Sequence, residues 1–301
     1  MTALPHAVRP RALLVERNIR YRDADGCDPD AVSLDIYYEK PKPKDEKRAM
    51  IVFVHGGGWD GGDKACFLAS DQEKMPGYFV SKGYVFASVN YRLGGTPTSS
   101  GVGIPEMAAD IAKAIKWLSV NGRRYGGRQT GFVLIGYSSG AHLALLVATD
   151  QQYLRHFRLM PDTLSAVIVL DMTHFDIPMT MRIMETKATG LPNQEQRLAH
   201  LYKIFGQETA GQAALSPANH LGSWLTRTAV LIVSVGLCFG HRQWLTKRMG
   251  ENFQRRLEAI GVRVEHLHLE EWEHNYLVTH FDGELADGIV QFIDTLEESA
   301  V

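Results

Sequence analysis

The pentapeptide Gly136-Tyr137-Ser138-Ser139-Gly140 stands between an apolar run, Phe132 to Ile135, and a helical stretch, Ala141 to Ala148. A G-x-S-x-G turn that joins a strand to a helix lifts its serine oxygen above the end of a sheet. Its flanking glycines are needed because larger side chains would collide with neighbouring backbone. The helix that follows aims its N-terminal N–H groups at the place where negative charge develops as the serine attacks a carbonyl. The chemistry of such a serine is nucleophilic acyl transfer. As a bare pattern the pentapeptide also describes an ordinary Gly/Ser turn, and it is the strand before it and the helix after it that separate the two.

About 80 residues earlier, Ile51-Val52-Phe53-Val54 runs out into His55-Gly56-Gly57-Gly58-Trp59. Consecutive glycines let backbone N–H groups approach a substrate oxygen without side-chain obstruction. Gly56 and Gly57, with the N–H of Ser139, are therefore the expected oxyanion donors. A glycine triplet alone is a flexible turn, but a strand leads into this one and it precedes the serine.

A general base must come later in the chain, and His274 is the best placed, directly after the strand-like Val264 to Leu269 in Glu270-Glu271-Trp272-Glu273-His274. His266 and His268 sit within that strand, where alternation sends both to one face. His280 falls in the next turn or helix, and packing is the simpler role for all three. The acid that should orient the base normally follows the penultimate strand, here Ala229 to Val235. That loop reads Gly236-Leu237-Cys238-Phe239-Gly240-His241, without a carboxylate. The substitute favoured is Asp171, at the end of Ala166 to Leu170. Asp176 is a weaker candidate in the same loop. Glu270, Glu271 and Glu273 lie close to His274 in sequence but are poorly placed to point at its ring, and a carbonyl or water holding the ring stays open.

These residues need a sheet to carry them. The chain has 301 residues, 45% hydrophobic and 22% charged, enough for one large domain. Short apolar runs at Tyr84 to Val89, Phe132 to Ile135, Ala166 to Leu170 and Val230 to Val235 read as strands buried on both faces, which means a parallel sheet. An amphipathic helix begins at Pro105, carries Met107, Ile111, Ala114, Ile115 and Leu118, and should end near Gly122. Leu13 to Tyr21 and Val32 to Tyr38 alternate like half-exposed strands, so the sheet should open with an antiparallel meander. The class expected is α/β, a mostly parallel doubly wound sheet forming a single domain over 1–301. Residues 173–224 break the rhythm with several Met, Pro178, Pro192 and Pro217, and a helical pattern around Gln194 to Phe205. They read as a helical insertion near the active site, either a cap or a plain crossover.

A net charge of -2 with scattered basic residues gives no footprint for nucleic acid or an anionic membrane surface. Met1 to Pro10 is followed by no apolar run, and no stretch is apolar for long enough to span a membrane. Three cysteines, Cys27, Cys66 and Cys238, form neither a disulfide framework nor a zinc motif. The expectation is a cytoplasmic protein acting on a small-molecule substrate, with no metal and no organic cofactor, and with a homodimer left open.

The motifs resemble the HGGG-type α/β-hydrolases, esterases of the hormone-sensitive-lipase kind, and within them the kynurenine formamidases (arylformamidases). The resemblance covers roughly Ala49 to His274. It rests on His55-Gly56-Gly57-Gly58-Trp59, on Gly136-Tyr137-Ser138-Ser139-Gly140-Ala141-His142-Leu143-Ala144, and on His241-Arg242-Gln243, similar to a stretch shortly after those enzymes' aspartate. That aspartate would fall near Gly236 or Leu237, where this chain has none. Asn90-Tyr91-Arg92-Leu93 is similar to a tyrosine-arginine turn of the esterases and reads as structural. The resemblance implies the α/β-hydrolase fold and a serine hydrolase cleaving an ester or formamide of a small hydrophobic or aromatic substrate. Two alternatives follow from the empty acid position and from the fold's versatility: a repurposed enzyme catalysing cyclisation, dehydration or elimination, and a non-catalytic ligand-binding protein.

Overall fold

The computed structural model of the protein describes residues 12–24, 26–41, 48–66, 74–94, 101–186, 191–238, 240–281 and 283–298. Met1 to Pro10 and Phe239, both read above, lie outside the described residues. The strands β1 (Leu14–Arg20), β2 (Ser33–Tyr38), β3 (Met50–Val54), β4 (Val85–Val89), β5 (Phe132–Tyr137), β6 (Leu164–Leu170), β7 (Ala229–Cys238), β8 (His241–Arg242) and β9 (Val264–Glu273) form one sheet. Their order is β1-β2-β4-β3-β5-β6-β7-β8, with β9 also paired to β7. Pairing is antiparallel from β1 through β2 to β4, and parallel from there to β9. The antiparallel opening and parallel body are those expected, but neither early strand alternates between buried and exposed: β1 is exposed at all but one residue, and β2 is buried at all but its last. The short β8 turns back on the upper end of β7.

The helices are α1 (Lys74–Ser81), α2 (Ile104–Asn121), α3 (Ser139–Thr149), α4 (Gln151–His156), α5 (Ile177–Glu185), α6 (Gln194–Phe205), α7 (Thr209–Ala214), α8 (Leu245–Glu258), α9 (Tyr276–Thr279) and α10 (Gly283–Glu298). Every residue of β3, β4 and β5 is buried because helices cover both faces. Alternation along β3 shows the two layers directly. Met50, Val52 and Val54 pack with α2, α3 and α8, whereas Ile51 and Phe53 pack with α1 and α10. α2 starts where Pro105 predisposes it to, with Glu106 Oε2 accepting from the N–H of Gly103 at 2.9 Å, and its last residue is Asn121, followed by Gly122.

The stretch 173–224 holds α5, α6 and α7. Its buried Phe175, Met181, Met184, Leu201 and Phe205 join the same core as α2 and α3, so the insertion shares the sheet's interior instead of forming a core of its own. β7 and β9 each run several residues beyond the apolar stretches that announce them, to Cys238 and Glu273. The extra pairing carries β9 to the residue just before His274.

A buried carboxylate ties the start of the chain to α2. Asp110 is fully buried and holds Arg92 at 2.7 Å and Arg22 at 2.8 Å. Removing its charge takes the shared ion-pair partner from both guanidiniums, which are themselves a fifth to a quarter exposed. Asp110→Asn is expected to cost about 2–3 kcal/mol of stability, read as a lower urea midpoint with an unchanged slope. A midpoint equal to that of the wild type would show that the pair contributes nothing.

Candidate active site

The elbow is built by close approach. A methyl group on Gly136 would come within 2.4 Å of the Gly140 carbonyl oxygen, and one on Gly140 within 2.2 Å of the Val54 oxygen. Both positions therefore admit only glycine, and the first turn of α3 lies directly on the exit of β3. Ser138 takes a positive φ of 54°. Its N–H donates to Leu170 O at 2.9 Å, which continues the β5–β6 ladder past the end of β5. Ser139 opens α3, so its N–H is among the first four, which find no acceptor inside the helix.

Asp171 is hung in the same way. Its N–H donates to Val233 O at 2.8 Å, it has a φ of 49°, and it is 2% exposed. A left-handed backbone at a residue other than glycine costs about 1–2 kcal/mol, and here the ladder bond and the carboxylate's own partners hold it. Oδ1 accepts from the N–H of Val235 at 3.1 Å, and Gln243 Nε2 lies 3.4 Å from Oδ2. Oδ2 also meets His274 Nδ1 at 2.6 Å, a contact between residues 103 apart in the chain. His274 is placed by its own N–H, which donates to Leu237 O at 3.1 Å. The Tyr137 ring lies 4.9 Å from the His274 ring, and the Tyr137 hydroxyl donates to Asn275 Oδ1 at 2.9 Å, so elbow and histidine loop are joined.

The other carboxylates weighed for the acid are occupied elsewhere. Asp176 caps α5 by accepting from Met179 N at 3.0 Å. Glu270 meets His268 and Arg242, Glu271 meets Arg242, and Glu273 accepts from the N–H of Gly240. Gly236, one of the two positions near which the sequence leads one to look for an acid, has no room for one. A Cβ on Gly236 would stand 2.0 Å from Glu270 O, where β7 bulges against β9. Cys238 is no rival nucleophile, because burial pushes its thiol up to about 11.

The glycine loop lies against Ser138. A methyl group on Gly56 would be 2.8 Å from Tyr137 Cδ1 and 3.0 Å from Ser138 Cβ. Gly57, Gly58 and Trp59 follow with φ of 124°, 64° and 67°. Three consecutive positive values make this an unusual backbone, and its tryptophan adds strain that glycine would not. The braces are side chains that the sequence marks only faintly. The Tyr91 hydroxyl donates to His55 O at 3.0 Å, and its ring stacks on His55 at 4.4 Å. His55 Nδ1 donates to Gly56 O at 2.7 Å. The Trp59 indole can only donate, so the His142 Nδ1 it meets at 3.3 Å must be the acceptor. The proton of His142 then sits on Nε2 and goes to Leu215 O at 2.9 Å. Oxyanion loop, elbow helix and insertion are thus joined through one neutral imidazole.

Burial pushes His55 and His142 down to about 4 and His174 down to about 3, against an ordinary 6.5. Unfolded, these rings take up protons near 6.5, whereas the folded chain refuses them until about 4, so across that window the unfolded state binds more protons. Stability is therefore fully present above 6.5 and is lost as the pH falls toward 4. The urea midpoint should hold on the alkaline side of this window and drop steeply inside it. A midpoint at pH 4.5 equal to that at pH 7.5 would contradict the burial of neutral rings. Among the described residues, no three His, Cys, Asp or Glu side chains are grouped to hold a metal ion, and no helix is long and apolar enough to cross a membrane.

Comparison with known proteins places this geometry. The versiconal hemiacetal acetate esterase of Dothistroma septosporum is 30% identical over 203 residues, covering 63% of this chain and 55% of that protein. An acetylcholinesterase from Myxine glutinosa is 30% identical over 135 residues, covering 42% of this chain and 38% of its own length. The chain thus spans about half the length of the first of these curated relatives and less of the second. Among solved structures, an inhibited esterase B from Lactobacillus rhamnosis superposes with a TM-score of 0.75 at 19% identity, covering 96% of this chain and 88% of that one. A truncated carbohydrate esterase from gut microbiota superposes at 0.70 with 18% identity, covering 96% and 98%. At such identities the structures show the fold, which is that of the α/β-hydrolases. The BD-FAE family matches residues 34–208, a span that contains the glycine loop, Ser138 and Asp171 and stops short of His274. More than half of the sequence lies inside that match, and the chain belongs to the BD-FAE family.

Proposed function

We propose that this chain is a serine hydrolase that cleaves an ester or formamide of a small hydrophobic or aromatic substrate through an acyl- or formyl-serine intermediate. The observation that carries the reading is the 2.6 Å contact between His274 Nδ1 and the buried Asp171 carboxylate, beside an elbow that presents Ser138. With Nδ1–H donated to Asp171, the Nε2 lone pair of His274 is left to take the Ser138 proton. Ser138 Oγ then attacks the carbonyl carbon. The negative oxygen is held by the N–H groups of Gly56, Gly57 and Ser139, and the protonated His274 gives its proton to the leaving alcohol or amine. Water repeats the sequence on the acyl- or formyl-serine and releases the acid.

The esterase names of several relatives agree with this chemistry. The arylformamidase resemblance of the glycine loop and extended elbow keeps formamides beside esters, and the apolar insertion favours a hydrophobic or aromatic group. The repurposed-enzyme alternative rested on an empty acid position, and the Asp171 carboxylate beside His274 supports the hydrolase reading over it.

A fluorophosphonate probe tests activation without a chosen substrate. Wild-type protein should be labelled rapidly at Ser138, located by mass spectrometry, and both Ser138→Ala and His274→Ala should abolish this. Asp171→Asn should fold normally yet lower turnover of an aryl ester by about 10⁴. Folded wild-type protein that resists the probe would sink the hydrolase reading, and unchanged turnover in Asp171→Asn would remove the acid from it.

A further inference from the structure

The insertion touches the glycine loop at its most strained point. α6 sends His200 onto Gly58, with Nε2 2.9 Å from the carbonyl oxygen. A carbonyl only accepts, so that nitrogen carries the proton and donates. The Gly58 peptide lies between two residues with φ of 64° and 67°, and a methyl group on Gly58 would come within 3.2 Å of the same imidazole nitrogen. Around this bond, the His200 ring stacks on Trp59 at 6.5 Å, and Phe205 meets Trp59 edge-on at 4.9 Å. Asp60 lies 3.7 Å from His200 Nδ1 and 3.3 Å from Lys203 Nζ. One helix therefore holds the carbonyl and the indole of a loop whose Gly56 lies against Ser138, while the exposed Lys203–Asp60 pair at its edge adds little.

We infer that His200 is a positioning residue for the oxyanion donors: by holding the Gly58 carbonyl from α6, it keeps the left-handed run in place and the Gly56 and Gly57 N–H groups aimed. The inference rests on the serine-hydrolase reading above. It makes the insertion part of the transition-state machinery. A loop held from one side only would relax its positive-φ backbone, and a small misaiming of oxyanion donors is felt in the chemical step far more than in ground-state binding.

The test compares His200→Ala, His200→Gln and Lys203→Ala in the full chain, each first shown to be folded by its thermal transition. The readouts are the rate of Ser138 phosphonylation by a fluorophosphonate and the split between kcat and KM on a p-nitrophenyl ester. Phosphonylation is informative because the phosphoryl oxygen must occupy the oxyanion site. His200→Ala should slow phosphonylation and kcat by about 10- to 100-fold, with KM within about twofold. His200→Gln, whose carboxamide N–H can reach the same carbonyl, should recover most of the loss, and Lys203→Ala should behave as wild type. The inference is overturned if His200→Ala is labelled at the wild-type rate, if only its KM changes, or if the glutamine variant is as slow as the alanine one. Wild-type protein that resists the probe would overturn the hydrolase reading and this inference with it, an outcome visible before any variant is compared.

Discussion

Ser138, Asp171 and His274, from distant parts of the chain, are anchored at the carboxyl edge of the sheet because each one's own amide N–H is a rung of a strand ladder. Ser138 donates to Leu170 on β6, Asp171 to Val233 on β7, and His274 to Leu237 on β7. A Cα fixed by its own backbone hydrogen bond to the sheet moves only with the sheet, which fixes where its side chain starts. The parallel register, β5 beside β6 beside β7 beside β9, is therefore the constraint on which the site depends. That register is held in turn by strands buried on both faces, with a separate hydrophobic layer on each side. The usual preference for binding at the carboxyl ends of parallel strands has a concrete cause here, because the last rungs are where a side chain is free of the sheet while its backbone is still held.

What could be read in the sequence was what local chemistry dictates. The elbow glycines, the glycine run after β3, the both-face-buried strands and the start of α2 each depend on residues adjacent in the chain, and each is where the pattern puts it. The acid was harder. Asp171 and His274 are 103 residues apart, and their contact follows from which strands are neighbours, a property that spacing does not encode. Ending the last strand with its apolar stretch, at Leu269, also understated β9, whose next two residues, Glu270 and Glu271, are exposed, yet pairing with β7 extends to Glu273. His200 carried no signal at all. It is one polar residue on a modestly amphipathic helix, and only the fold reveals that it faces a carbonyl.

The insertion was legible as helical but not as a participant. Methionine-rich, proline-interrupted sequence carries no sharp periodicity, so packing alone decides which of its residues face the site. In the structure its apolar side chains sink into the same core as the elbow helix, and its Leu215 carbonyl accepts a hydrogen bond from His142. His142 can serve both Trp59 and Leu215 only while neutral, with its proton on one particular nitrogen. Deep burial keeps it in that form. A polar link inside a hydrophobic layer is costly when half satisfied, and this one has a partner at each nitrogen.

Gly236 shows how a strand pairing can decide which positions may carry a functional group. Its backbone passes so close to β9 that any side chain there would strike the Glu270 carbonyl. A carboxylate at Gly236 would have to prise β7 from β9, the same pairing that fixes the His274 backbone through Leu237. An acid introduced there would displace the histidine it was meant to serve, so on this backbone the end of β6 and the β7 bulge are not interchangeable places for it.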